Sequence, residues 1–299
     1  MKRTFVKSLL SLFIFSLPFS LSAKEITLGG KAGWPEFQTK ENITKGKGRF
    51  GYDCIQLATN SFTYDEETDL LINFENPANP IAAGDYEIVK NNLKISDKSI
   101  MAKGAGLSRN TGGMSIHGKP GTFFGSQGVM GSFSIEFWLS PSIVENGEII
   151  LHWETSKNVS GRLIYQLLNC TFNNGRVEWT LSNFFDEFSN PYGDSEIVLK
   201  GSTKIIPDSW TYHALSYDCE SGILEYLVNG ITEDIKYVTT NGKETGAVYL
   251  ALLGTPANVD FCTEYTGKID DIRILRRPYS PPDYQSAEVA GKTGRMLYR

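Results

Sequence analysis

The sequence predicts an all-β fold, an antiparallel sandwich or barrel built mostly from hairpins. Three observations carry that expectation. From Asp69 onward, short apolar runs recur about every ten residues, separated by turn residues. Tight-turn signals such as Asn173-Asn174-Gly175 and Asn229-Gly230 sit between consecutive runs. Helical periodicity of 3.6 residues is nearly absent.

The first 23 residues read as a targeting segment. Lys2, Arg3 and Lys7 precede an apolar stretch from Leu9 to Leu21, and small residues offer cleavage after Ser22 or Ala23. The stretch falls short of the ~20 residues that span a bilayer, so export with cleavage is expected and membrane insertion is not. Removing residues 1–23 takes away three cations and no anions, which turns 29 basic and 34 acidic side chains into 26 and 34. A chain this acidic has no reason to seek nucleic acid or anionic lipid.

Residues 24–64 form an irregular lead-in, rich in Gly, Lys, Asn and Thr, with room for one or two short strands. Residues 65–280 carry the strand pattern and fit one sandwich domain better than two. Leu70–Phe74 is the first strand. In Phe133–Leu139, Phe133, Ile135, Phe137 and Leu139 share one face, and Ser134, Glu136 and Trp138 share the other. Ile149–Trp153 follows a Glu145-Asn146-Gly147-Glu148 turn. Tyr165–Phe172 and Val177–Leu181 make one hairpin, and Tyr212–Tyr217 and Ile223–Val228 make another, with Leu224, Tyr226 and Val228 toward the core. Val248–Leu253 and Ile269–Leu275 complete the set, and 281–299 is an unpatterned tail.

Four of these stretches together resemble the laminin-G-like, concanavalin A-like domains of exported bacterial proteins. Phe133–Pro141 is similar to the family's diagnostic strand, in which aromatic alternation leads to a Trp and a following Pro. Trp210–Asp218 resembles its Trp/His strand, and Tyr226–Gly230 the next strand with its Asn-Gly turn. Gly254 stands after the apolar strand where the family has a glycine. Gly267–Ile274 with Arg276–Ser280 resembles the closing strand, although Arg277-Pro278 departs from the usual pair there. The resemblance implies a two-sheet antiparallel jelly-roll sandwich and a lectin-like binding role. The same architecture also hosts glycoside hydrolases, and some relatives hold Ca²⁺ at one end of the sandwich. Asp186, Asp194, Asp218 and Asp260 fall in expected loops and could supply such a site.

Catalytic chemistry finds little support in the residues. Glycoside hydrolysis needs two carboxylates at close, defined separation, and there is no E-x-D-x-x-E run. Glu136 and Glu178 read as single carboxylates on outer strand faces. Asp270 and Asp271 are neighbours and should face opposite sides. Asp270 is expected partly inward against backbone amides, and Arg273 in a surface ion pair. The acidic run Asp65–Asp69 reads as a solvated turn, and His213 as a hydrogen-bonded strand histidine. There is no G-x-S-x-G elbow. His117, His152 and His213 lie far apart in sequence.

Four cysteines, Cys54, Cys170, Cys219 and Cys262, lack C-x-x-C spacing. In an exported chain an even count suggests two disulfides, with three connectivities open. The segment Asn183–Asp194 concentrates Phe184, Phe185, Phe188 and Tyr192, either as a cap folded onto the sandwich end or as an aromatic contact surface. The functional expectation is a non-catalytic module, periplasmic, cell-surface or secreted, that recognises a glycan or an envelope or extracellular protein. A structural subunit of an extracytoplasmic assembly, built by self-association, is the alternative. A glycan-cleaving enzyme stands third.

Overall fold

The computed structural model of the protein describes residues 43–47, 53–57, 62, 64–126, 128–159, 161–185, 196–238, 248–250 and 257–280. By contacts the chain divides into Met1–Lys40, outside the described residues, and Glu41–Arg299, which holds every described element. Residues 1–23, expected to be a targeting segment, and residues 281–299 also lie outside the described residues. Among the described residues there is no helix, and so none long and apolar enough to cross a membrane.

The strands run in order β1 (Ile43–Lys47), β2 (Asp53–Leu57), β3 (Thr68–Ile72), β4 (Ile81–Ala83) and β5 (Tyr86–Asn91). Next come β6 (Lys94–Ser96), β7 (Ala105–Arg109), β8 (Met114–Gly118), β9 (Gly128–Met130) and β10 (Phe133–Pro141). The middle of the chain holds β11 (Ile149–Val159), β12 (Arg162–Asn173), β13 (Arg176–Ser182), β14 (Glu196–Lys200) and β15 (Thr211–Asp218). The last five are β16 (Ile223–Val228), β17 (Ile231–Tyr237), β18 (Val248–Leu250), β19 (Asn258–Phe261) and β20 (Thr266–Leu275). All pairings are antiparallel.

Two large sheets make the sandwich. One has nine strands, ordered β17-β16-β15-β10-β20-β3-β4, with β7 also on β20 and β6 on β7. The other has seven, ordered β14-β13-β12-β11-β19-β8-β5. Pairs β1-β2 and β9-β18 stand as separate two-stranded ribbons. The tight turns follow their residues: Asn174 and Gly175 have φ of 52° and 73°, Asn229 and Gly230 51° and 74°. Two successive positive values define the type I′ hairpin turn that matches strand twist.

One buried cluster fills the space between the sheets. Phe133, Ile135, Phe137 and Leu139 of β10 enter it with Leu224, Tyr226 and Val228 of β16, as the alternation required. Trp153 and Trp179 enter from the seven-stranded sheet. The two sheets are also tied at one edge, where Glu233 of β17 accepts from Ser202 N (2.5 Å) and Thr203 N and Oγ1 (2.7 Å each), just beyond β14. Burial would raise this carboxyl, but those donors outweigh it and hold it below the usual range.

The outer face of the nine-stranded sheet departs from expectation. It is covered, not solvated: Phe62, Met101, Ile100, Trp210 and Tyr279 pack over Leu71, Trp138, Tyr212, Ala214 and Leu227. Glu136 is therefore fully buried, and it is not a lone outward carboxylate. Its Oε2 receives Arg273 Nη2 at 2.6 Å and Nε at 2.7 Å and the Tyr212 hydroxyl, and Ser134 Oγ reaches its Oε1 at 2.9 Å. The Arg273 pair is buried rather than superficial.

A β-bulge explains the aspartates. Glu136 pairs with Arg273 but Trp138 with Asp270, so Phe137 alone opposes Asp271 and Ile272, and Asp271 takes φ 41°. The extra residue resets the alternation. Asp270 thus turns outward with Arg273 instead of inward with Ile272 and Ile274. Its carboxylate accepts from Ile100 N and Met101 N, both at 3.0 Å, while Asp271 Oδ2 accepts from Phe62 N at 2.6 Å. Both aspartates face the covering segments, which corrects the expectation of opposite sides. Burial, with Asp271 alongside, pushes the Asp270 carboxyl well up.

The acidic run before β3 is likewise only partly a solvated turn. Asp65 and Glu66 are exposed. Asp69 is half-buried with its side chain 5% exposed, and it accepts from Phe123 N at 2.9 Å, from the Tyr86 hydroxyl at 2.5 Å and from Arg276 Nη2 at 2.6 Å. Glu67 meets Arg277 at 2.6 Å.

Candidate ligand-binding face

The seven-stranded sheet offers the other outer face, and its registers bring distant residues into one line. Val198 lies opposite Thr180, Thr180 opposite Asn169, and Asn169 opposite His152. His152 in turn lies opposite Asp260, Asp260 opposite Ser115, and Ser115 opposite Lys90. Seven strands at about 4.8 Å spacing make this row roughly 29 Å long. Its side chains point away from the core because their neighbours Leu181, Leu168, Cys170, Leu151, Trp153, Val259 and Ile116 point into it.

Most of the row offers hydrogen-bonding groups. At its centre, His152 Nδ1 and Asn169 Oδ1 are shielded from water and lack a hydrogen-bond partner among the described residues. Burial without a partner costs such groups their hydration. Beside them Glu154 stands two residues along β11, its Oε2 3.9 Å from His152 Nε2 and its side chain 51% exposed. A second line joins Ser182, Leu167 and Glu154, and His117 Nδ1 meets Asn258 Oδ1 at 3.0 Å nearby.

Strand β12 adds an aromatic. Ile164, Gln166, Leu168 and Cys170 turn inward, so Leu163, Tyr165, Leu167 and Asn169 share the outer face. Tyr165 is 56% exposed there. It stands opposite Ser156 and diagonal to Glu154, and an open tyrosine ring there can stack on an apolar face and bond to hydroxyls at once.

The aromatic segment after β13 is not this platform. Phe184 and Phe185 are 1% exposed and belong to the core, with Phe184 5.8 Å from the Trp153 ring and Phe185 4.7 Å from Tyr217. The chain folds back after β13 because these two rings fill the sandwich end, which removes them from the candidate contact residues. Phe188 and Tyr192 lie outside the described residues.

Of the four candidate calcium ligands, the two that are described, Asp218 and Asp260, lie on different sheets. Asp186 and Asp194 lie outside the described residues. Asp218 closes the β15–β16 turn, where it accepts from Glu220 N (3.0 Å) and Ser221 Oγ (2.6 Å), and Asp260 is a strand residue of the opposite sheet. Among the described residues no three His, Cys, Asp or Glu side chains are grouped to hold a metal.

Cys170, Cys219 and Cys262 are free thiols; the Cys54 side chain lies outside the description. Cys170 and Phe261, the neighbour of Cys262, lie on either side of Leu151. Two strand spacings, about 9.6 Å, exceed what a disulfide bridges. Cys219 belongs to the other sheet's hairpin, where its sulfur receives Ser132 Oγ at 3.1 Å. The expected bridges among these three are therefore not formed.

His213 is a hydrogen-bonded strand histidine in the interior. Its ring lies between Thr211 Oγ1 at 2.7 Å and the Tyr226 hydroxyl at 2.8 Å, stacked on Phe137 and Tyr226. Burial pushes its imidazole down to about 3.

These features define a jelly-roll sandwich with one outer face covered and the other carrying a largely half-buried polar row and exposed Tyr165. The family described as the concanavalin A-like lectin/glucanases superfamily, laminin-G-like, matches residues 120–283, more than half of the sequence. The chain belongs to this family. No curated protein matches it in sequence. Among solved structures it is similar to an HCR/D mutant, with 13% identity over 76% of this chain and 51% of that one, TM-score 0.48. It is similar to the binding domain of Paraclostridial Mosquitocidal Protein 1, with 14% identity over 76% and 52%, TM-score 0.47. Domain 4 of AbnA, a GH43 extracellular arabinanase from Geobacillus stearothermophilus solved with arabinotriose, shares 16% identity over 74% and 99%, TM-score 0.45. The chain spans about half the length of the first two of these proteins.

Proposed function

We propose that the chain is an exported, non-catalytic module that binds a glycan on the outer face of its seven-stranded sheet. One observation carries the reading. Of the two outer faces, that of the nine-stranded sheet lies under Phe62, Met101 and Tyr279, while that of the seven-stranded sheet lines up hydrogen-bonding side chains and, four residues along β12 from Asn169, carries exposed Tyr165. A glycan presents both an apolar ring face and many hydroxyls, which is the chemistry such a row accommodates. The leader-like residues 1–23 support export.

Catalysis fits less well. A glycosidase keeps one carboxyl protonated in a dry site that substrate can reach. Asp270 is dry, but backbone amides of Ile100 and Met101 cap it beneath the covering segment. Glu154, on the open face, is half exposed to water.

The test is a glycan array probed with the mature chain and with Tyr165→Ala. Retention of a defined glycan set, weakened by Tyr165→Ala at unchanged melting temperature, is the expected result. Retention of none, with a protein of the native envelope captured instead, would replace this reading with protein recognition.

A further inference from the structure

The cover over the nine-stranded sheet is held in different ways at different points. Part of it is the loop 97–104, which joins the short strand β6 to β7. Ile100 and Met101 of this loop pack onto the apolar cluster that includes Trp138, and Met101 is buried there. Asp97, Lys98 and Lys103 are exposed. The loop is pinned by two carboxylates: Asp270 Oδ2 accepts from Ile100 N and Met101 N at 3.0 Å each, and Glu75 Oε1 from Lys103 N at 2.9 Å and Gly104 N at 2.8 Å. The Glu75 end is packed tightly as well, since a Cβ on Gly104 would lie 2.4 Å from Phe74 O.

Two features oppose the closed position at the other end. Ala102 takes φ 39°, a left-handed value that its Cβ disfavours. Below the loop, Trp138 Nε1 is buried and has no hydrogen-bond partner among the described residues. Opening would relax the first and hydrate the second, at the expense of the Asp270 bonds and the Met101 contact.

We infer that residues 97–102 form a lid, hinged at Ala102 beside the anchored Lys103-Gly104, that opens while both sheets stay intact. Trp138 lies directly opposite Asp270 in register, so opening bares an indole ring and a carboxyl side by side. The covered face is then gated rather than permanently closed. This inference concerns the nine-stranded sheet and stands apart from the glycan reading of the other one.

The experiment is native-state hydrogen exchange of the mature protein, followed amide by amide by NMR. Phe184→Ala weakens the core between the sheets, away from the lid. In that variant the Leu215 amide, on a strand paired on both sides, should exchange about a hundredfold faster. The Met101 amide should stay within about twofold of the parent, because lid opening leaves Phe184 in place. In the parent, urea below the unfolding transition should accelerate Leu215 steeply and Met101 hardly at all, since a lid exposes little surface. That arm decides the matter even if the variant does not fold. Met101 accelerating in step with Leu215 would show that the loop opens only with the whole domain, and would overturn the inference.

Discussion

Glu136 Oε2 and Arg273 Nη2 lie 2.6 Å apart with both side chains buried, on the sheet face that an alternating strand pattern assigns to solvent. The pair is covered by Phe62, whose ring lies 3.8 Å from the Arg273 guanidinium carbon. Removing one partner of a buried pair strands the other charge, which costs about 3–5 kcal/mol, whereas replacing both with apolar residues of similar volume costs far less. Arg273→Met should therefore destabilise the domain strongly, and Glu136→Leu in the same chain should restore much of the loss. Urea denaturation of the two variants checks this, and equal losses in both would contradict it.

The two kinds of aromatic separate by assay. Phe184→Ala should cost about 3–5 kcal/mol of stability, because the ring is enclosed by Phe133, Trp153 and Phe185. Tyr165→Ala should stay within about 0.5 kcal/mol, since its ring is open to solvent. Denaturant midpoints measured side by side distinguish them, and a large loss for Tyr165→Ala would mean that its face is covered.

His213 makes stability depend on pH. Its imidazole titrates near about 6.5 when unfolded and near 3 when folded, because burial disfavours the charged form. Unfolding then takes up a proton in that interval. The contribution is whole above about pH 6.5 and is lost progressively as pH falls toward 3, at up to about 1.4 kcal/mol per pH unit. His213→Gln should flatten the urea midpoint between about pH 6.5 and 5 relative to the parent. Identical slopes would show that the ring binds its proton equally well folded and unfolded, contrary to its burial.

Much of this architecture was legible in the sequence where the signal is local. Alternation in Phe133–Leu139 placed the core side of β10, and Asn-Gly pairs placed the hairpins, because those turns demand left-handed backbone. What was not legible depends on distant segments. Whether Glu136 faces water depends on Phe62 and Met101, far away in the chain, although Trp138 on the same face hinted at a cover. The Asp271 bulge shifts one residue without any glycine or proline to mark it. Phe184 and Phe185 sit in a segment without period, so composition alone could not tell a plug from a platform. The polar row was hidden because its members come from seven separate strands, and Tyr165 and Leu167 blur the alternation of β12 with apolar residues on both faces.

The account's central claim is that the seven-stranded sheet's outer face meets the ligand, and amide chemical-shift mapping with a bound glycan tests it most directly. The expected shifts cluster on Tyr165, Asn169, His152, Thr180 and Asp260, across four adjacent strands. Shifts confined to the other sheet or to the hairpin around Asp218, with these five unmoved, would contradict it.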